Sequence, residues 1–247
     1  MIALKMLEEE IGPDLLLRRG NGRHLVVAFS TVVSATSGKF EFSNAMLDHK
    51  GHVLLARDSG GDSYHSGFAG VTDSIEENVE FLAYLRRRLD VERVTCLGIC
   101  TGGYAALLHG FLVGADDVLT ANARTCCDYD IARKRRCGPR WPGQFDAVYE
   151  YYAKREEVPR YLDLRALFES RDSTVGPMIA YHSENLKMDR NNAHAIQDFP
   201  QIFPVPSKSK THTELGARLR DRGVLEAHLR TEPADLARMH LAMEANA

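Results

Sequence analysis

Short apolar runs alternate along this chain with stretches in which apolar positions recur every three or four residues. That alternation predicts a mostly parallel sheet covered by helices on both faces. Asp14–Arg18 and His24–Phe29 read as an opening hairpin across Arg19-Gly20-Asn21-Gly22, and His52–Ala56 follows as a strand. Thr72 to Leu89 reads as an amphipathic helix with Ile75, Val79, Leu82 and Leu85 on one face. Val94 to Leu97 is predicted as a strand and Thr101 to Val113 as the helix after it. Val118–Asn122, Met178–Tyr181 and Ile202–Val205 complete the strands, and two last helices begin near Glu214 and Pro233. No repeat or low-complexity tract interrupts the pattern.

Residues 123–174 break the rhythm. They hold Cys126-Cys127, the basic run Arg133-Lys134-Arg135-Arg136, Trp141, and an aromatic and charged stretch around Tyr149, Tyr151 and Tyr152. Two readings are open: a small cap inserted over an active site, or a helical excursion with a solvated charged face. Either way the expectation is one α/β domain over residues 1–247.

Within the pattern, Val94 to Leu107 stands out. Gly98-Ile99-Cys100-Thr101-Gly102-Gly103 links a strand to a helix by a sharp turn with Cys100 at its apex. A nucleophile in such an elbow sits in a strained backbone conformation that lifts its side chain clear of the sheet. The residues two before and two after it must be tiny, because they nearly touch. Gly98 and Gly102 occupy those places, and Gly103 lets the helix pack close. The usual apex residue is Ser, so Cys100 joins acyl chemistry to a thiol nucleophile.

Size and charge add limits. The 247 residues, 44% of them apolar, suffice for one sizeable core. A net charge of −3 gives no argument for nucleic acid or an anionic membrane as partner. The N-terminal sequence lacks the apolar core of a signal peptide, and no apolar run approaches a membrane span. Five cysteines, 96, 100, 126, 127 and 137, lack paired metal-ligand spacing. Their odd number predicts reduced thiols and a cytoplasmic location. No metal and no cofactor is implied.

Acyl chemistry through a covalent intermediate needs a base beside the nucleophile, an acid to orient the base, and donors for the oxyanion. On an elbow of this kind they follow in chain order nucleophile, acid, His, each from a loop after a strand. His212 is the candidate base, since of ten histidines it alone follows the last strand and precedes a helix. His109, His228 and His240 fall within helices and read as structural or exposed. The acid is expected after Met178–Tyr181, where Asp189 is preferred and Glu184 is the alternative. Asp189 also reads as a helix N-cap, and Glu184 as an ordinary exposed carboxylate. Backbone N–H groups of Thr101 and of Ser30 or Thr31 are the expected oxyanion donors.

Substrate-binding candidates are weaker. Asp58 and Tyr64 lie in a polar loop after the His52–Ala56 strand, where Asp58 has the alternative role of capping the loop's own amides. Arg133, Arg135 and Arg136 are either a grip for an anionic handle, such as a coenzyme A or phosphopantetheine phosphate, or a solvated face. Trp141 joins them as a candidate within the insertion. Cys126 and Cys127 read as small core or cap residues.

The elbow, the downstream Asp and the terminal His together resemble the α/β-hydrolase superfamily, from Leu25 to about Leu229. Phe29-Ser30, Arg57-Asp58 to Tyr64, the elbow through Leu107, Gly114–Val118, and Lys210-Thr-His212 through Gly223-Val-Leu225 look like bacterial α/β-hydrolase-like proteins with little assigned function. Those relatives usually carry Ser at the apex, so Cys100 departs from them. Elbow cysteines also occur in the dienelactone hydrolases and polyhydroxyalkanoate synthases, to which this chain is similar in the motif alone. The resemblance implies an ester or thioester hydrolase working through an acyl-cysteine held by Cys100, His212 and Asp189. The substrate would be a small acyl ester or thioester, carrier- or coenzyme A-linked forms included. An acyl-thioester is open to amines, thiols and alcohols as well as water, so acyl transfer is the alternative within the enzyme class. A non-catalytic binding protein that keeps the elbow as architecture, or one binding through the 123–174 insertion, is the competing class.

Overall fold

The computed structural model describes residues 8–33, 37–140 and 142–245. Its centre is an eight-stranded sheet in the order β1-β2-β4-β3-β5-β6-β7-β8. The strands are β1 Glu8–Gly12, β2 Leu15–Arg18, β3 His24–Phe29, β4 His52–Ala56, β5 Arg93–Ile99, β6 Asp117–Ala121, β7 Met178–Ser183 and β8 Ile202–Ser207. From β4 to β8 all neighbours are parallel, and β1 and β2 close one edge antiparallel. The fold is the α/β-hydrolase arrangement.

The opening hairpin is a correction. β2 pairs with β1 and β4, not with β3, because β4 lies between them. The intervening loop crosses the start of β4, where the Asn21 N–H donates to the Lys50 carbonyl at 2.9 Å. β1, with its run of glutamates, carries no alternation that would mark a strand, and backbone pairing at the sheet edge makes it one.

Helices α1 Ile75–Arg88 and α2 Cys100–Val113 cover one face of the sheet; α7 Glu214–Asp221, α8 Val224–Arg230 and α9 Leu236–Ala245 cover the other. Between β6 and β7 the insertion forms α3 Tyr129–Arg135, α4 Asp146–Lys154 and α5 Leu164–Ser170, and α6 Lys187–His194 follows β7. The insertion's Cys126, Cys127, Phe145, Val148 and Leu164 are buried in the same core as α1 and α2. At the far end of the sheet, Asp117, His228 and His240 form a buried hydrogen-bonded chain (2.7 and 2.8 Å) that fastens α8 and α9. Among the described residues no helix is long and apolar enough to cross a membrane.

β3 lies between β4 and β5, so successive crossovers leave it in opposite directions. A crevice therefore opens outside the carboxyl ends of β3 and β5, where sheets of this class bind ligands. Cys100 stands at that crevice.

Candidate active site

β5 is a strand because its apolar residues are buried on both faces, and it ends where the chain must reverse into α2. Cys100 makes the turn at φ +54°, a conformation rare for a residue with a side chain. The close approach read from the glycines is present. A Cβ on Gly98 would lie 2.0 Å from the Gly102 carbonyl oxygen, and one on Gly102 would lie 2.1 Å from that of Phe29. α2 then runs inward, buried from Thr101 to Phe111, so the elbow rests on a rigid base.

Three loops bring side chains to Cys100. His212, between β8 and α7, is held from both sides. The Asn122 side chain, at the end of β6, donates to its carbonyl at 2.7 Å. Next to it, the Glu214 carboxylate accepts from the N–H groups of Lys210 and Thr211, and the Thr211 hydroxyl accepts from the Glu214 N–H. This reciprocal pairing is a capping box, and Thr-x-x-Glu was its signal in the sequence. Asp189 lies in the first turn of α6, where Leu186 holds the N-cap position, so its carboxylate is not used as the cap. It is 1% exposed and accepts from His212 Nδ1 at 3.0 and 3.1 Å. Glu184 is directed elsewhere, to His182 at 3.2 Å and toward Arg190.

The other ring nitrogen of His212, Nε2, is buried without a hydrogen-bond partner; His212 and Cys100 line the same crevice. Burial alone would lower the His212 pKa; the hydrogen bond to Asp189 and the proximity of Cys100 outweigh it and raise the value to about 9. Burial likewise pushes the Cys100 thiol up, yet His212, Arg124 and Arg140 together hold it below its ordinary value. Both shifts run in the direction that favours the charged form of each group, thiolate for Cys100 and imidazolium for His212.

The two arginines come from the insertion and carry no spacing signal in the sequence. Arg140 lies against both the Asp189 carboxylate and His212 Nδ1. Arg124 is 6% exposed, stacks over Phe145, and leaves Nη2 buried without a partner. The cations expected from the basic run are not at the site. Arg133 pairs with Asp130 on the surface, Arg135 grips Asp163 through two bonds at 2.6 and 2.7 Å, and Arg136 is exposed at the end of α3. A helix only two turns long fans its arginines outward and keeps Ala132 inward. Trp141 lies outside the described residues.

Asp58 and Tyr64 are buried within their own loop and do not face the crevice. Asp58 accepts from the Ser63 N–H at 2.8 Å, and the Tyr64 hydroxyl lies 3.0 Å from the Ser30 carbonyl. Two of the expected oxyanion donors are engaged elsewhere. The Ser30 N–H extends the sheet by donating to Ala56 at 2.9 Å, and the Thr31 N–H donates to the Glu41 carboxylate at 2.7 Å. The Thr101 N–H, in the first turn of α2, has no acceptor within the helix.

Beside Cys100 a cavity of about 610 Å³ opens on the α7 side, with Leu97, Ile99, Leu119, Ala121, Leu219 and Leu225 among its walls. Among the described residues the donors near enough to share a cation are His182, Glu184 and His194, and the Arg190 guanidinium beside Glu184 opposes one.

No family model matches this chain, and no curated protein does. Solved structures do. The chain is similar to the capsule O-acetyltransferase of Neisseria meningitidis serogroup A, with a TM-score of 0.64 at 12% identity, covering 94% of this chain and 97% of that one. A mutant of the same enzyme in complex with CoA aligns with a TM-score of 0.58 at 14% identity, over 91% of this chain and 95% of that one. A fluorophosphonate-binding serine hydrolase of Staphylococcus aureus gives 0.53 at 10% identity, over 89% and 96%. At such identities the likeness establishes the fold, and the fold is α/β-hydrolase-like.

Proposed function

We propose that this protein transfers acyl groups from an ester or thioester to water through a covalent acyl-cysteine on Cys100. One observation carries the reading: a cysteine held at φ +54° on a strand-to-helix elbow, lining one crevice with His212, whose Nδ1 is bonded to a buried carboxylate.

The Cys100 thiolate attacks the acyl carbon, and an Sγ–C bond forms as the carbonyl electrons move to oxygen. The Thr101 N–H takes the oxyanion. The C–O or C–S bond to the leaving group then breaks, and the leaving group takes the proton from His212 Nε2. Neutral His212 next removes a proton from water, whose oxygen attacks the thioester. The carboxylic acid departs and the thiolate–imidazolium pair returns. Asp189 keeps the His212 Nδ1 proton in place throughout.

A second reading has support of its own. Neighbours by fold include an O-acetyltransferase and a CoA-bound form of it. The same intermediate delivered to a hydroxyl or amine in place of water would make this an acyltransferase, with a coenzyme A-linked thioester as the donor.

Intact-protein mass spectrometry after exposure to activated acyl esters and thioesters tests both. The expected result is an acyl adduct on Cys100 that turns over in the wild type, accumulates in His212→Ala and is absent from Cys100→Ala. An adduct undiminished in Cys100→Ala, or none in the wild type across the panel, would overturn the reading in favour of a binding protein.

A further inference from the structure

Resting on the acyl-cysteine reading, we propose that the acyl group is an unbranched aliphatic chain of about eight carbons, seated in the cavity between the sheet and α7. The cavity's placement argues for this first. Leu97 and Leu119 face one another in the β5–β6 register, as do Ile99 and Ala121 one step nearer the elbow. Leu97, Leu119 and Ala121 belong to the core on the α7 side, so the cavity descends from Cys100 along that face of the sheet. Leu97 lies three residues before Cys100, which puts the Leu97–Leu119 floor about 10 Å below the apex at ~3.3 Å per residue. A tetrahedral zigzag of ~1.5 Å bonds advances about 1.25 Å per carbon, and about eight carbons span that depth.

The chemistry of the walls argues for it independently. The deep residues Leu97, Leu119, Leu219 and Leu225 are all less than 9% exposed and aliphatic. The charged side chains that touch the cavity, Glu41, Arg140 and Arg220, are partly or fully exposed and so belong to its mouth. A two-carbon acyl group would fill little of 610 Å³, about twenty water volumes at ~30 Å³ each, and would leave water against aliphatic walls. An aliphatic chain removes that apolar surface from water.

The test is a series of acyl thioesters of N-acetylcysteamine, from acetyl to hexadecanoyl, with acylation of Cys100 followed by intact mass. The rate constant per molar should rise about three- to fourfold per methylene up to octanoyl, and fall beyond decanoyl. Ala121→Leu should lower the ratio of octanoyl to acetyl rates by about tenfold or more. Ala217→Phe, on the half-exposed face of α7, fills the same space without touching the strand and should act in the same direction. Acetyl reacting as fast as octanoyl would overturn the proposal, as would an unchanged ratio in both variants with melting temperatures near wild type. If no chain length acylates a Cys100 that iodoacetamide still alkylates, the acyl-cysteine reading itself fails, and this proposal falls with it.

Discussion

The two walls that meet at Cys100 are built from unlike material. On one side the insertion between β6 and β7 supplies Arg124 and Arg140, with Cys137, Gln144 and Phe145 around them. On the other, the strand faces and α7 present aliphatic side chains, with Glu41 at the rim. Charge next to a thiol changes its protonation, while aliphatic surface does nothing to a thiol and much for a hydrocarbon. Under the proposed chemistry, the insertion wall serves the nucleophile and the sheet wall serves the acyl group. The insertion thus places two guanidinium groups beside the elbow.

The comparison breaks most completely at the seam. His212→Ala should slow turnover of a non-activated thioester by roughly 10⁴-fold, since it removes base and acid together; steady-state hydrolysis checks it. Removing charge from the insertion wall should have a smaller, pH-dependent effect. Arg140→Ala should slow Cys100 alkylation about tenfold near pH 6 and little near pH 9, because one pKa unit is a factor of ten in thiolate. The sign follows from the lowered thiol, which loses a cation that favours its charged form. Loss at both pH values would mean Arg140 supports structure, not ionisation. At the rim of the other wall, Glu41→Ala should change acylation by no more than severalfold, whereas a hundredfold drop would make Glu41 itself part of the machinery. Smallest of all, Arg133→Glu and Arg136→Glu, on exposed side chains, should shift stability by no more than about 0.5 kcal/mol and leave acylation alone.

How much of this was legible in the sequence differs between the walls. The elbow was readable because close packing at Gly98 and Gly102 tolerates no other residue, so geometry is written into composition. His212 was readable from its place after the last strand. Asp189 was readable as a candidate only, since the same residue suits an N-cap, and tertiary contact with His212 separates the roles. Arg140 was not readable. It approaches from an irregular segment by a long-range contact that no local period encodes, while the denser run at Arg133–Arg136 drew the electrostatic reading to a surface helix. The bond that occupies the Thr31 amide was not readable for a related reason: strand order locates the loop, but Glu41 reaches the donor from the segment that follows.

The measurement that tests the account most directly is the pH profile of Cys100 alkylation by iodoacetamide, in wild type and His212→Ala. The other four cysteines are buried, so the partly exposed Cys100 dominates the signal. The wild type should show an inflection below the ordinary thiol value of 9.0, with a rate that persists to acid pH, and His212→Ala an inflection shifted upward. A wild-type inflection at or above 9.0, unmoved by loss of His212, would contradict the thiolate–imidazolium pair on which the proposed chemistry depends.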